Sequence, residues 1–76
     1  MDKMTAVIKT VFPMFKGTVD ELLRLGEITG WDSMTSVNLT MYLESQFGVN
    51  LSDVILTGQQ SVSDVVSLIE ARGAVV

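Results

Sequence analysis

Neither cysteine nor histidine occurs in this chain of 76 residues. The first absence removes disulfides, thiolate metal sites and cysteine nucleophiles, and leaves the chain compatible with the cytosol. The second removes the usual general base and the commonest transition-metal ligand. Proline occurs once and glycine six times, too few for a disordered or fibrous chain. Basic residues are also scarce. Five Lys and Arg face nine Asp and Glu, a net charge of −4 that argues against nucleic-acid binding. No apolar run approaches the roughly 20 residues needed to span a bilayer. Met1 to Phe15 carries Asp2, Lys3 and Lys9 where a signal peptide would need an unbroken apolar stretch, so a cytoplasmic location is expected.

What is present is a hydrophobic fraction of 47%, ample for one small globular domain spanning residues 1–76. A domain of this size buries only roughly 60% of its unfolded surface, so each large apolar side chain matters. The charge is uneven. Residues 1–17 hold Lys3, Lys9 and Lys16 against Asp2, whereas residues 18–76 hold eight carboxylates against Arg24 and Arg72. An acidic body of this kind is steered towards partners with basic surfaces.

Met4, Val7, Ile8, Val11, Phe12 and Phe15 follow helical spacing and predict an amphipathic first helix that Pro13 ends or kinks. Gly17 to Trp31 is a long connection with room for a turn or two of helix at Val19–Leu23. Its Leu22, Leu23, Leu25 and Ile28 predict a loop packed onto the helices, with turns at Gly26 and Gly30. The second helix is expected from Asp32 or Ser33 to Phe47, with either residue as N-cap and Gly48 as a left-handed stop. Leu39, Leu43 and Phe47 share one side of it and are assigned to the core. Met34, Val37 and Met41 lie on nearly the opposite side, so they form an accessible apolar strip suited to meeting more than one partner. Ser52 or Asp53 is positioned to cap a short helix to Leu56. A last helix opens at Ser61 with Asp64 as its capping partner and closes at Arg72 and Gly73. With no strand-period segment, the fold class is all-α: a bundle of three main helices plus a short third helix, with a long loop between the first two.

Ser33 stands where a helix N-terminus can stabilise an anion, but catalysis is a poor reading of it. A serine nucleophile needs an adjacent base. There is no histidine, and every lysine lies within the first 16 positions. Asp32, Glu44 and Asp53 are spread apart without metal-loop spacing. Two readings of Ser33 therefore remain at this level, a plain N-cap and an attachment point for a phosphodiester. The two are compatible if Asp32 caps the helix instead.

The run Gly30-Trp31-Asp32-Ser33-Met34 is followed by Leu39-x-x-x-Leu43-Glu44-x-x-Phe47-Gly48-Val49. Ser61-Val62-x-Asp64-Val65-Val66-x-x-Ile69 comes later in the chain. Together these segments resemble the acyl carrier protein family over nearly the whole sequence. The resemblance implies a four-helix acyl-carrier-like bundle with Ser33 as the site of 4'-phosphopantetheine attachment. It makes Asp32 the acidic neighbour that a phosphopantetheinyl transferase reads, and Asp32, Met34, Val37, Met41 and Glu44 the partner-binding set. The chain would then be a carrier rather than an enzyme. It would hold acyl or aminoacyl groups as thioesters for loading, condensing and modifying enzymes, and the arm would bring the sulfur that the chain lacks.

One departure narrows the expectation. Carriers of primary fatty-acid synthesis usually bear several acidic residues along the second helix, yet here Thr35, Ser36, Asn38, Thr40 and Ser45 are neutral. The expectation is therefore a discrete carrier of polyketide or nonribosomal peptide assembly. The start at Met1 and the lack of a linker tail point to a free-standing protein, and a monomer is expected. Trp31 has two readings, a cover for the loop–helix junction or a partner contact. The alternative to the carrier is a cofactor-free helical interaction module that uses the Met34, Val37 and Met41 strip.

Overall fold

The computed structural model describes residues 2–76. Among them the regular elements are α1 (Asp2–Val11), a single 3-10 turn (Leu25–Glu27), α2 (Ser33–Phe47) and α3 (Val62–Ala71). The all-α expectation holds. α1 buries Met4, Val7 and Ile8, and Phe12 and Phe15 continue its apolar face beyond the last turn. Pro13 stands two residues past the last helical residue, Val11, where its missing N–H and fixed φ do not interrupt the helix. The Lys9 ammonium then secures the reversal of the chain. It donates to the Gly17 carbonyl at 2.8 Å and lies 5.1 Å from the centre of the Phe15 ring.

The long first connection is held by pairing with the segment that enters α3. Leu25 N–H donates to the Gln60 carbonyl at 2.9 Å, Gly26 N–H to Gly58 at 3.1 Å, and Val62 N–H to Leu23 at 2.8 Å. Gly26 and Gly58 meet backbone to backbone, and a β-carbon on Gly26 would stand 3.0 Å from the Gly58 oxygen. Leu25 and Ile28 are buried beneath this seam and Leu23 is partly covered, as the apolar loop predicts. Leu22 is not. It is 86% exposed because the Asp20 carboxylate accepts from Leu22 N–H and Leu23 N–H, closing a turn where a helical segment was expected.

The expected short helix after Asp53 is also absent. Ser52–Asp53 forms a turn, with Val54 N–H donating to the Leu51 carbonyl at 3.0 Å and Ser52 N–H to Asn50 Oδ1 at 2.9 Å. Two forces compete with a helix here. The span before Gly58 is too short to offset the cost of nucleation. Asp53, a candidate cap, instead pairs with the Arg72 guanidinium through contacts of 3.0 and 3.2 Å. Arg72 also donates to the Asn50 carbonyl at 2.8 Å, so the end of α3 ties down the α2–α3 connection. Leu51 and Leu56 are buried despite the missing helix.

The starts of α2 and α3 use reciprocal caps. At α3, Ser61 Oγ accepts from Asp64 N–H at 3.2 Å while Asp64 Oδ2 accepts from Ser61 N–H at 3.0 Å, as the spacing predicts. α2 ends at Gly48, whose φ of 66° is the left-handed stop expected there. Leu39 and Leu43 of α2 are sealed in the core at 1% and 0% exposure. Phe47, assigned to the core beside them, sits at its edge and is only half-buried. The Lys3 ammonium lies 4.9 Å from its ring centre, which keeps one face of the ring near water.

Candidate functional site

The site is built at the start of α2, where the long connection ends. Gly30 turns the chain with a φ of 96°, a conformation that side chains disfavour. Trp31 then packs inward, its ring stacked on Phe12 with centroids 6.0 Å apart and its indole nitrogen against Gly58. These contacts make Trp31 the cover of the loop–helix junction.

Asp32 is the N-cap. Its carboxylate accepts from Thr35 N–H at 2.8 Å, and the Thr35 hydroxyl accepts from Asp32 N–H at 2.8 Å. The Thr35 oxygen also lies 3.0 Å from the Gly30 carbonyl, so one hydroxyl joins turn, cap and helix. These bonds hold the Asp32 carboxyl below its ordinary pKa of 3.8. The Thr35 N–H has the largest effect, followed by the Thr35 hydroxyl. Ser33 therefore has no capping work. It is the first helical residue, its side chain is exposed, and its carbonyl accepts from the Ser36 hydroxyl at 2.9 Å.

Past Ser33 the exposed apolar strip runs along α2. Met34 is 75% exposed, Val37 57% and Met41 61%, in contrast to Leu39 and Leu43 on the other side of the same helix. Glu44 sits near the far end of the strip, with one carboxylate oxygen engaged. It accepts from Leu51 N–H at 2.7 Å and so fastens the last turn of α2 to the next connection. Beside the strip a groove of about 450 Å³ opens between α1 and α2, lined by Thr10, Val11, Asn38, Met41, Tyr42 and Ser45.

Residues 29–69, which span this helix start and most of α3, match the family described as phosphopantetheine attachment site. An acyl carrier protein of Thermotoga maritima is 34% identical over 70 residues, covering 92% of this chain and 86% of its own length. An acyl carrier protein of Onion yellows phytoplasma is 32% identical over 65 residues, covering 86% of each. The chain belongs to the acyl carrier protein family. No solved structure matches it.

As an acyl carrier protein, the chain is a carrier and not an enzyme, and its prosthetic group is a covalently attached 4'-phosphopantetheine. Its partners include a phosphopantetheinyl transferase and acyl-handling enzymes. Among the described residues, no helix is long and apolar enough to cross a membrane. The start of α2 fits a phosphodiester-linked arm. A serine hydroxyl stands in solvent at the positive end of a 15-residue helix, while the neighbouring carboxylate is turned into the cap.

Two features of the site escaped the sequence reading. Thr35 completes the capping box of α2, a start read from Asp32 or Ser33 alone; the Asp32-x-x-Thr35 spacing carried that signal. The α1–α2 groove depends on how Thr10 and Val11 meet Asn38, Tyr42 and Ser45 across two helices. The only hint within α2 was that Tyr42 lies beside Met41 and outside the core row.

Proposed function

We propose that Ser33 carries the 4'-phosphopantetheine arm and that the chain is a monomeric, cytoplasmic carrier of a specialised pathway, of the polyketide or nonribosomal peptide kind. One observation carries the assignment of Ser33: its hydroxyl is exposed at the first position of α2 while Asp32 supplies the cap. Modification there leaves the helix start intact.

In the loading step the Ser33 hydroxyl oxygen attacks the coenzyme A phosphorus attached to pantetheine. The new P–O bond forms as the pyrophosphate P–O bond breaks, adenosine 3',5'-bisphosphate departs, and the hydroxyl proton passes to the transferase. The transferase supplies the base, since the chain has no histidine. Once bound, the group supplies the thiol that holds acyl or aminoacyl cargo as a thioester. Asp32 presents a fixed carboxylate beside Ser33 for the transferase to read. Met34, Val37 and Met41 form the apolar contact for partner enzymes, with Asp32 and Glu44 as the acidic groups of that helix.

The specialised pathway is supported by the chemistry of the exposed side of α2. Met34, Val37, Asn38, Met41 and Ser45 are exposed and uncharged. Docking on such a surface rests on apolar fit more than on charge. Peptide fragmentation after treatment with coenzyme A and a broad-specificity transferase tests the attachment residue. The added mass should lie on Ser33. Its appearance on Thr35 or Ser36 would contradict the assignment. For the pathway, transfer from a polyketide or amino-acid loading enzyme should outrun transfer from a fatty-acid synthase transferase, and the reverse order would contradict it.

A further inference from the structure

We propose that Met34 and Met41 form a reversible oxidation site, at which a peroxide turns the exposed side of α2 polar and takes the carrier out of service without unfolding it. This rests on the reading of Met34, Val37 and Met41 as the partner contact. The chain has no cysteine, so methionine thioethers are the sulfur it offers to an oxidant. The fold sorts those sulfurs sharply. Met4 is sealed in the core at 1% exposure, whereas Met14, Met34 and Met41 stand in solvent at 71%, 75% and 61%. Oxidation follows exposure, so these three react first and the core methionine is spared.

Two of the three lie together. Met34, Val37 and Met41 are spaced by three and four residues, which puts them on one side of α2. Seven residues separate the two sulfurs' positions, about 10 Å at about 1.5 Å per residue, so one docked partner covers both. Met14 sits in the turn after α1, away from this strip, and serves as a built-in control.

The chemistry is a two-electron oxygen transfer. The thioether sulfur attacks one oxygen of hydrogen peroxide, and the S–O bond forms as the O–O bond breaks. The other oxygen leaves as hydroxide and takes the proton of the transferred oxygen, giving sulfoxide and water. The product replaces an apolar side chain by a strong hydrogen-bond acceptor at each end of the strip. An apolar partner surface closing over it removes its water and returns no hydrogen bond, a cost that falls on docking alone. The fold is untouched, because Leu39 and Leu43 carry the core side of α2 and contain no sulfur. Reduction by methionine sulfoxide reductases of both stereochemical types restores the thioethers and the contact.

The test treats the apo protein with limited hydrogen peroxide, removes the oxidant, and measures loading from coenzyme A by a broad-specificity phosphopantetheinyl transferase. Peptide masses should place oxygen on Met14, Met34 and Met41 before Met4, with the helical circular dichroism unchanged. Loading at low carrier concentration should slow at least about tenfold, and treatment with the two reductases should restore it. Met34→Leu/Met41→Leu should keep its own untreated rate after the same exposure, although its Met14 is still oxidised. An equal slowing in that variant, early oxidation of Met4, or an unchanged rate in oxidised wild type would overturn the proposal. Met34→Gln/Met41→Gln, a permanent polar counterpart of the oxidised strip, separates the two levels of the argument. A slow Gln variant beside an unaffected oxidised wild type overturns the oxidation site alone; a folded Gln variant loaded at the wild-type rate overturns the reading of the strip as the partner contact, and the oxidation site with it.

Discussion

Leu43→Ala and Met41→Ala, two residues apart on α2, test which side of the helix builds the fold. Leu43 is wholly buried, and Val65 and Ile69 of α3 lie in the same core cluster. Truncating it removes buried methyl groups and leaves a cavity, a loss of about 2–5 kcal/mol. For a 76-residue domain, total stability at about 0.05–0.15 kcal/mol per residue is about 4–11 kcal/mol. The substitution therefore removes a large share of it. At about 4–8 °C per kcal/mol for a domain of this size, a loss of about 3 kcal/mol lowers the melting temperature by about 12–24 °C. Met41 is 61% exposed, so only a minor part of its side-chain burial is at stake, about 1 kcal/mol at most. Alanine's higher helix propensity offsets part of that. Paired urea titrations followed by circular dichroism should show a large fall in midpoint for Leu43→Ala and a small one for Met41→Ala, with similar slopes. Equal losses would refute the assignment of the two sides and leave no spare apolar strip for partners.

Asp32→Ala should lower the urea midpoint by removing the acceptor for Thr35 N–H, and Asp32→Asn should recover part of the loss. Acid should weaken the fold in a defined window. Hydrogen bonds from Thr35 to Asp32, and from the Arg72 side chain to Asp53, hold both carboxyls below 3.8. Both groups thus bind protons more weakly folded than unfolded, and their contribution is complete above about pH 5 and is lost as pH falls through the lowered folded values. Urea midpoints measured from pH 7 to pH 2 should be flat at first and drop below about pH 4, with a shallower drop in Asp53→Asn; a decline beginning near neutrality would contradict this. Gly26→Ala should cost about 1–3 kcal/mol because the new β-carbon presses on the Gly58 backbone. Amide exchange should then speed up at Leu25 and Val62, on either side of the seam. Unchanged protection there would mean that the seam does not hold the first connection.

Much of this was legible in the sequence because the signals were local. Helical spacing placed α1, the Ser61–Asp64 pair started α3, and Gly48 stopped α2. The opposition of Met34, Val37 and Met41 to Leu39 and Leu43 followed from the helical period alone. What the sequence hid was settled by partners distant in the chain. Asp53 read as a cap because its spacing allowed one, but Arg72, nineteen residues on, took its carboxylate. Glu44 read as one of the partner-binding residues, and only the fold shows that it also accepts from Leu51 N–H. Leu22 read as part of a packed loop, yet the Asp20 turn and the pairing of Leu23 with Val62 left it facing water. Phe47 carried the right period for the core, but its place in the last turn of α2 put it at the rim.

The most direct test of the account is the intact mass of the purified protein and of Ser33→Ala, each before and after incubation with coenzyme A and a broad-specificity phosphopantetheinyl transferase. The account predicts one phosphopantetheine added to the unmodified wild-type chain and none to Ser33→Ala. The variant should melt within a few degrees of the wild type, because Asp32 and not Ser33 caps α2. A folded Ser33→Ala protein that still gains the mass would contradict the assignment of the arm to Ser33, as would a folded, unmodified wild type that gains nothing.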